Sequence, residues 1–408
     1  MKVLIQRTSG FDTPGPSNHL LKALIEDMIS AGFSVHLVQA SIKKIGEEMN
    51  SDLKKLDGFT WDTLERKDIP KNRFVRRYLE EVQYTFRSVK YWKKVNDIDA
   101  VYIISCPTAL YGIVLTKIIL KKPLFYGIQD MFPGSAVNSG VMGNRFIAKI
   151  FYLLQKIAYR YSDIITVISE DMKNKVVEQG VPEKKIFMIV NWFDDRTVHE
   201  VLWEENRFVK KYNLSTKKFY VQYAGTMGYV FDYKMVLAVA ELLKEYNDIE
   251  FHMIGQGSQK EVFIEEKSKQ KLDNIYFFPL EPQNMVSDVY SACSICMIPL
   301  KKRIIGNSVP SKAGLLMMCN RVIVNSVDSD SEYFKMFSEY DMGISASNDD
   351  PKAVADAILE LYRDEDERQR MAKNAHEFGE KYYSRTVNTK KFIDLFHLIV
   401  DKKNRTEG

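Results

Sequence analysis

The chain has 408 residues, of which 45% are hydrophobic and 27% are charged. This composition is typical of a folded globular protein, and the length favours two domains over one compact core. The first residues, MKVLIQRTSG, turn polar after four apolar positions, and no apolar run approaches the roughly 18 residues of a membrane-spanning helix. We therefore expect a cytoplasmic protein.

Charge is distributed unevenly along the chain. Residues 1–190 contain 28 lysines and arginines against 20 acidic residues, whereas the remainder contains 30 against 34. Within residues 71–94, eight basic and two acidic residues are interleaved with six aromatic ones. This segment is either a helix whose solvent-facing side is basic, or a surface for anionic lipid or a phosphate-bearing acceptor. Nucleic acid is not predicted as a partner, because no nucleic-acid motif accompanies the patch.

Short apolar runs alternate with helical patterns through the first half. The runs that predict strands are KVLIQ, SVHLV, AVYIIS, PLFYGI, DIITVI and KIFMIV. The patterns between them predict helices over residues 17–31, 108–121, 144–161 and 170–179. Strands that alternate with helices indicate βαβ units and a parallel sheet.

The alternation restarts after residue 195. The predicted strands of the second half are FYVQYAGT, IEFHMIG, NIYFF, SICMIPL, RVIVNS and MGIS. We therefore predict an α/β protein of two Rossmann-like, doubly wound domains, residues 1–193 and 194–380, facing each other across a cleft that holds the site. Residues 381–408 hold a last amphipathic helix over 384–400 and a polar tail, DKKNRTEG; packing of this helix on the first domain is one arrangement.

A turn rich in glycine and proline, TSGFDTPGPSNHLLKAL, follows the first strand. Gly10 and Gly15 permit close backbone approach, and Ser17 is a predicted N-cap. The GxGxxG fingerprint is absent, so a bound dinucleotide is not expected. The turn is either a wall for donor and acceptor, with Gly15 against the donor, or an ordinary capped turn.

An acid ends the strand within YGIQDMFPGSAVNSG. Asp130 at the edge of a cleft can hold a sugar hydroxyl or orient an acceptor, which makes it a candidate catalytic residue. The alternative is that it caps the loop together with Asn138 and Ser139.

Two glycine-containing turns follow consecutive strands of the second half, in YAGTMGY and IGQGSQK. Such turns leave backbone N–H groups exposed and let the chain pass close to a ligand. Both features favour the binding of a diphosphate. The candidate donor-binding residues in them are Gly225, Thr226, Met227, Gly228, Gly255 and Gly257.

A basic helix start lies in NSVPSKAGLLMMCNRVIVNSV, residues 307–327. Pro310 is predicted at the first helical position, where its missing N–H costs nothing. The free N–H groups of a helix start and its dipole favour an anion. Ser311 adds a hydroxyl and Lys312 a mobile cation, so all three residues are predicted to bind donor phosphate.

No metal site is predicted. Cys293 and Cys296 form a CxxC motif, but it lies in a predicted buried strand and has no second pair. Asp328 and Asp330 form a DxD motif that can hold a divalent cation in other proteins, but capping of the next helix explains it better here. The six histidines show no ligand spacing.

The order of these motifs resembles that of the GT-B glycosyltransferases of family 4, which are retaining enzymes that use nucleotide sugars. The closest resemblance is to the bacterial branch that builds O-antigen, capsule and colanic-acid chains, including fucosaminyltransferase-like members. The motifs that carry it are PGPSNH, DMFPGSAVNSG, IVNWFDD, YAGTMG, IGQGSQ and VPSK, spread over most of residues 1–380.

Three positions depart from the family pattern. Many members carry two glutamates separated by seven residues, one of which bonds the donor ribose; the corresponding residues are Asn307 and Leu315. Histidine often precedes the first-domain aspartate, where this chain has Gln129. The departures are typical of a side branch and leave the binding of the ribose unexplained.

The resemblance implies transfer of a sugar from a nucleotide-sugar donor, with UDP expected, to a glycan or polyprenyl-pyrophosphate-linked acceptor. It implies that Lys312 neutralises the leaving phosphate and that Asp130 positions sugar or acceptor, with neither metal nor cofactor. The basic first half suggests peripheral association with the anionic inner face of the membrane.

Two other functions stay open at this point. A nucleotide-sugar epimerase can share the two-domain shape, but it needs acids and histidines around the sugar, and few lie near the predicted turns. A non-catalytic nucleotide- or sugar-binding subunit is favoured by the missing glutamates. The sugar, the nucleotide base, the acceptor, the linkage and the oligomeric state do not follow from the sequence.

Overall fold

The computed structural model describes residues 1–12, 18–42, 50, 52–69, 73–138 and 142–407. They divide into two compact units. The first unit comprises residues 1–190 and 386–408, and the second comprises residues 191–385. The sequence predicted the corresponding limits at 193/194 and 380/381.

The first unit is built on seven strands and the helices between them. The strands are β1 (Lys2–Gln6), β2 (Ser34–Ser41), β3 (Phe59–Glu65), β4 (Ala100–Ile104), β5 (Leu124–Gly127), β6 (Ile164–Val167) and β7 (Ile186–Met188). The helices are α1 (Asn18–Ser30), α2 (Phe74–Trp92), α3 (Ala109–Ile119), α4 (Gly134–Asn138), α5 (Arg145–Tyr161) and α6 (Glu170–Glu178).

The sheet of the first unit is parallel, in the order β3-β2-β1-β4-β5-β6-β7. Ile5 in β1 lies opposite Leu37 in β2 and Tyr102 in β4. Strands covered on both faces read as apolar runs, which is why six of the seven were predicted. The sequence did not predict β3, because this edge strand is partly exposed and its FTWDTLE sequence is largely polar.

The second unit repeats the arrangement with six strands. They are β8 (Phe219–Ala224), β9 (Ile249–Ile254), β10 (Ile275–Phe278), β11 (Ile295–Pro299), β12 (Ile323–Val327) and β13 (Gly343–Ser347). The helices are α7 (Arg207–Tyr212), α8 (Tyr233–Leu242), α9 (Lys260–Lys269), α10 (Val286–Ser291), α11 (Ala313–Met318), α12 (Glu332–Glu339), α13 (Pro351–Arg363) and α14 (Glu365–Tyr383). All six strands were predicted.

The second sheet is also parallel, in the order β10-β9-β8-β11-β12-β13. In both sheets the strand order reverses beside the first strand of the unit, between β1 and β4 and between β8 and β11. Ligands of doubly wound sheets bind beyond the carboxyl ends of the strands at such a reversal. The loops after β1, β4, β8 and β11 are therefore where a site is expected.

The last helix, α15 (Arg385–Glu407), packs within the first unit. The ring of Phe396 lies 4.1 Å from that of Phe125, and Thr389 donates a hydrogen bond to Asp27. The helix was predicted to end at residue 400, but it continues through the polar residues to Glu407. DKKNRTE contains no glycine or proline, and lysine, arginine and glutamate are good helix formers. None of the helices in the described ranges combines the length and apolar character that crossing a membrane requires.

Candidate functional site

Two turns lie side by side at the carboxyl edge of the second sheet. The turn of residues 225–228 follows β8, and that of residues 255–257 follows β9. The Gly225 amide donates to the Ile254 carbonyl over 2.9 Å, and the Met227 amide donates to the Gln256 carbonyl over 2.8 Å. The turns therefore form one hydrogen-bonded ridge beside the strand-order reversal.

Glycine is required at this ridge because the two backbones touch. Gly255 has φ +133°, and a Cβ there would lie 2.1 Å from the Gly225 carbonyl oxygen. Gly257 has φ +155°, and a Cβ there would lie 2.3 Å from the carbonyl oxygen of Met227. The sequence pattern predicted that both glycines let the chain pass close to a ligand. In the structure they let the two turns pass close to each other.

The side chains of the first turn point in different directions. Met227 was predicted as part of a turn with exposed backbone N–H groups. Its side chain is fully buried in the hydrophobic core of the second unit, and its amide is already bonded to the Gln256 carbonyl. Thr226 is exposed, and Gly228 is half-buried. The Tyr223 hydroxyl donates to the Thr226 carbonyl over 2.8 Å, which fixes the turn from within.

Lys312 reaches this ridge from the loop that follows β11. Its Nζ atom lies 3.5 Å from the centroid of the Tyr223 ring, and a Cβ on Gly225 would lie only 2.6 Å from that Nζ. Within the described part of the chain, no carboxylate or hydrogen-bond acceptor contacts the ammonium group. Of the predicted donor-binding residues, Lys312 and Gly225 are thus brought together.

The surroundings of Lys312 disfavour its charge. The residue as a whole is half-buried, but its ammonium group lies among protein atoms, and this desolvation lowers the pKa of Lys312 to about 7. The Tyr223 ring offers a cation only the partial compensation of a cation–π contact. A bound anion would supply the missing counter-charge.

Helix α11 begins later than the sequence pattern predicted. Helix α11 begins at Ala313, so Pro310 lies in the preceding turn, where its carbonyl accepts the Ala313 amide over 3.1 Å. Ser311 is exposed. Because α11 spans six residues, its dipole is small, and the lysine is the stronger anion-attracting feature.

Close packing on α14 positions α11. A Cβ on Gly314 would lie 3.0 Å from the Tyr383 ring, and one on Gly379 would lie 2.9 Å from Met317. These two glycines let the helices approach each other, which fixes the backbone that carries Lys312. The requirement at Gly314 is therefore one of packing between helices.

The two positions that depart from the glutamate pair offer no carboxylate. Asn307 is buried and donates to the Arg303 carbonyl over 3.1 Å, and Leu315 is half-buried in α11. Asn307 therefore stabilises the loop after β11.

The DxD acid Asp328 supports the same loop. It accepts hydrogen bonds from the amides of Arg303 and Ile305, over 2.7 and 3.4 Å. The predicted capping of the next helix was wrong for this residue, since Ser331 is the N-cap of α12. The described residues contain no cluster of three or more histidines, cysteines or acids that could hold a metal ion.

The CxxC cysteines contact each other at the start of β11. Cys293 and Cys296 are buried, and their sulfur atoms lie 3.3 Å apart as free thiols. Burial raises the pKa of the Cys296 thiol well above its usual range, so a reactive thiolate is disfavoured there.

In the first unit, Asp130 lies directly after β5. The residue is exposed, yet neighbouring protein atoms remove enough water to raise the pKa of its carboxyl group. Hydrogen bonds from the Ser135 side chain and the Met131 amide oppose this effect. The loop continues into α4, which ends at Asn138, while Ser139 lies outside the described residues.

The sequence did not predict a role for Arg7, at the end of β1. Its guanidinium group is buried, and its Nη2 donates to Asn18 over 2.7 Å. Nη1 is buried and has no hydrogen-bond partner among the described residues, and burial lowers the pKa of Arg7 to about 10. The position of an arginine immediately after the first strand was the available signal. Gly15 and Ser17, in the following turn, lie outside the described residues.

Comparisons with known proteins cover both units. The family model described as Glycosyltransferase Family 4 matches residues 18–197, and the model described as Glycosyl transferases group 1 matches residues 204–378. The chain is 24% identical over 297 residues to the probable glycosyltransferase WbjE of Pseudomonas aeruginosa, covering 71% of this chain and 73% of that protein.

Two further similarities are more distant. A protein described as a colanic acid biosynthesis glycosyl transferase, WcaI of Escherichia coli K12, is 24% identical over 226 residues, or 54% of each chain. The structure of Anabaena HepE in complex with UDP and glucose superimposes with a TM-score of 0.74 at 12% identity, covering 97% of this chain and 99% of HepE. The chain has two doubly wound domains, and a glycosyltransferase family model matches each of them. It therefore belongs to the family 4 glycosyltransferases of the GT-B fold.

Proposed function

We propose that the chain is a retaining glycosyltransferase that uses a UDP-linked sugar and extends a lipid-linked or growing glycan in bacterial surface polysaccharide synthesis. The observation that carries the donor site is the Lys312 ammonium group, which lies beside the Gly225 turn and has no counter-ion among the described residues. The UDP in the HepE structure supports the choice of nucleotide. The description of WcaI supports the polysaccharide assignment.

The second unit supplies the groups that such a donor needs. A diphosphate at the Gly225 turn would lie within reach of Lys312, and its negative charge would restore the protonated form of that amine. The exposed Thr226 hydroxyl and the Ser311 side chain are further donors at the rim. The donor ribose would be bound without the usual glutamate, since Asn307 and Leu315 replace the pair.

The reaction breaks the bond between the sugar anomeric carbon and the diphosphate oxygen. A new bond forms between that carbon and an acceptor oxygen on the same face, and the acceptor proton passes to the departing diphosphate. Negative charge grows on the leaving group during this step, and a positioned cation such as Lys312 lowers the barrier where charge develops. Asp130 would orient the sugar or the acceptor rather than form a covalent intermediate.

The first experiment measures the thermal unfolding midpoint with UDP, GDP and ADP and with their sugars, without added metal. A ligand that binds the folded state raises this midpoint by mass action. We expect a selective rise with UDP and its sugars and its loss in Lys312→Met. The matched control is Lys244→Met, a surface lysine at the end of α8 that is paired with Glu241.

Release of UDP from the sugar that gives the largest shift tests catalysis directly. Slow hydrolysis by the native protein, reduced about a hundredfold or more in Lys312→Met, is the expected result. Nucleotide binding without any turnover, with or without an acceptor glycan, would instead favour a non-catalytic subunit. No thermal shift with any nucleotide would contradict the proposed donor site.

A further inference from the structure

Helix α2 exposes three apolar residues and buries both of its acids. Val75, Leu79 and Phe86 are each more than half exposed, whereas Glu80 and Glu81 are buried. Val75, Leu79, Val82 and Phe86 follow one another at spacings of four, three and four residues, so they form a single stripe along the helix. A surface helix normally presents the opposite pattern.

Arginines hold the two buried acids. Arg66 binds Glu81 over 3.2 Å, and Arg77 on α2 binds the same carboxylate over 3.4 Å. Arg87 binds Glu80 over 3.2 Å. Because Arg66 lies outside α2, its pair with Glu81 fixes the rotation of the helix and holds the apolar stripe toward solvent.

Helix α5 carries a second stripe of the same kind. Phe146 is 72% exposed and Leu153 is 61% exposed, with the exposed Ile150 between them. The spacing is again four and then three residues. Asn144 caps this helix through the amides of Phe146 and Ile147, so the stripe begins at its first turn.

The two helices and the Asp130 loop form one continuous surface. The Tyr78 ring of α2 lies 5.3 Å from the Phe151 ring of α5. Phe132, two residues after Asp130, lies 5.0 Å from Phe151 and 6.1 Å from Phe74. The apolar stripes therefore adjoin the loop that is the candidate acceptor position.

Every exposed charge on these two helices is positive. Helix α5 has no acidic residue, and the two acids of α2 are buried. Arg76, Arg145 and Lys149 are exposed, and within the described ranges no acid pairs with them. An exposed apolar stripe flanked by cations is the arrangement of helices that lie in the interface of an anionic bilayer.

We infer that the two apolar stripes and their flanking cations, here called the α2–α5 surface, bind this protein to an anionic phospholipid bilayer. The charge argues against a second copy as the occupant, because a symmetric dimer through this surface would bring the same cations together. The inference rests on the proposed function in that a lipid-linked acceptor would lie in the same bilayer, next to the Asp130 loop.

The test is flotation of the whole protein with vesicles of phosphatidylcholine alone and of phosphatidylcholine mixed with phosphatidylglycerol. We expect binding to the mixed vesicles and a reduction on the order of tenfold or more in the variant Leu79→Glu/Leu153→Glu. The matched control is Leu242→Glu/Leu280→Glu, which changes two leucines of the second unit that are also half or more exposed and should bind as the native protein does.

A second variant separates charge from burial of apolar surface. Arg76→Gln/Lys149→Gln should retain its fold, lose about fivefold in affinity per cation and bind with a weaker dependence on salt. Native binding by Leu79→Glu/Leu153→Glu would overturn the inference. So would failure of the native protein to bind either vesicle, or a dimer in sedimentation velocity that the same leucine variant dissociates.

The measurement needs neither donor nor turnover, so its result is independent of the transferase proposal. The UDP-induced rise in unfolding midpoint should be the same in both surface variants and the native protein. If a variant loses vesicle binding but keeps the UDP-induced rise in its unfolding midpoint, the loss is due to the changed α2–α5 surface. Loss of both in the leucine variant would indicate damage to the fold and overturn the assignment of these residues to lipid.

Discussion

The Nζ atom of Lys312 lies 3.5 Å above the centre of the Tyr223 ring, and the ring hydroxyl bonds the Thr226 carbonyl in the turn that Lys312 approaches. One aromatic residue therefore supports both the cation and the turn. The pair explains why the amine is held in place although no acid in the described part of the chain binds it. It also makes the protonation of Lys312 sensitive to a bound anion.

Binding of UDP should be accompanied by uptake of a proton. Since the pKa of Lys312 is lowered to about 7, most of the free protein carries a neutral amine at about pH 8, and a diphosphate would raise that pKa. Titration calorimetry in buffers of different ionisation enthalpy measures the uptake. It should approach one proton at about pH 8 and diminish toward pH 6. An uptake that stays the same from about pH 6 to about pH 8 would refute the prediction.

Replacement of Lys312 should flatten the dependence of stability on pH. The folded-state pKa of about 7 lies below the ordinary value of 10.5, so the unfolded chain binds more protons between these values. The free energy of unfolding of the native protein should therefore rise, relative to Lys312→Met, as pH increases from about 7 toward 10. Below pH 7 the difference should stay constant. Urea unfolding across this range measures it, and a difference that falls with increasing pH would contradict the prediction.

Gly255→Ala should destabilise the second unit by about 2–4 kcal/mol. The new Cβ would lie 2.1 Å from the Gly225 carbonyl oxygen and would occupy a left-handed backbone. Gly143→Ala is the control, because a Cβ there meets no atom within 4 Å, and its change should stay within about 0.5 kcal/mol. Denaturant unfolding measures both changes. If Gly255→Ala left the free energy of unfolding unchanged, the two turns could separate at little cost, and the prediction would be wrong.

Asp130→Asn should reduce kcat about a hundredfold and leave the UDP-induced rise in the unfolding midpoint unchanged. The second variant, Ser135→Ala, removes a hydrogen bond that stabilises the ionised carboxylate. It should raise the pKa of Asp130 further and move the acidic limb of the rate profile to higher pH. If the limb does not move, the ionisation of Asp130 does not govern the reaction.

Glu81→Gln should lower the free energy of unfolding by about 2–4 kcal/mol. The change leaves Arg66 and Arg77 without their shared carboxylate in a largely buried position. Glu178→Gln, at an exposed position in the same unit, should change stability by less than about 0.5 kcal/mol. Equal effects of the two substitutions in denaturant unfolding would show that the network does not fix α2.

The sequence predicted twelve of the thirteen strands of the described fold, because strands between two helical layers leave long apolar runs. It missed β3, whose outer edge meets solvent. It also predicted Lys312 and Gly225 at one sheet edge, since parallel strands end together. The inward direction of Met227 could not be predicted, because turn residues have no fixed period.

Contacts distant in the sequence account for the remaining differences. Pro310 looked like a helix start, but the chain completes a turn before α11 begins at Ala313. The contact of Lys312, in the loop after β11, with Tyr223 on β8 joins residues 89 positions apart and has no local signal. The outward stripe of α2 depends on Arg66, which lies outside that helix.

The return of α15 to the first unit has a consequence for synthesis. Phe396 packs on Phe125 and Phe33, so the first unit gains part of its core only from the last helix. The second unit is one continuous segment, residues 191–385, with no such dependence. Domains of a nascent chain commonly fold from the N-terminus onward. Here the second unit can fold before the first, because the core of the first unit is completed only after α15 has been synthesised.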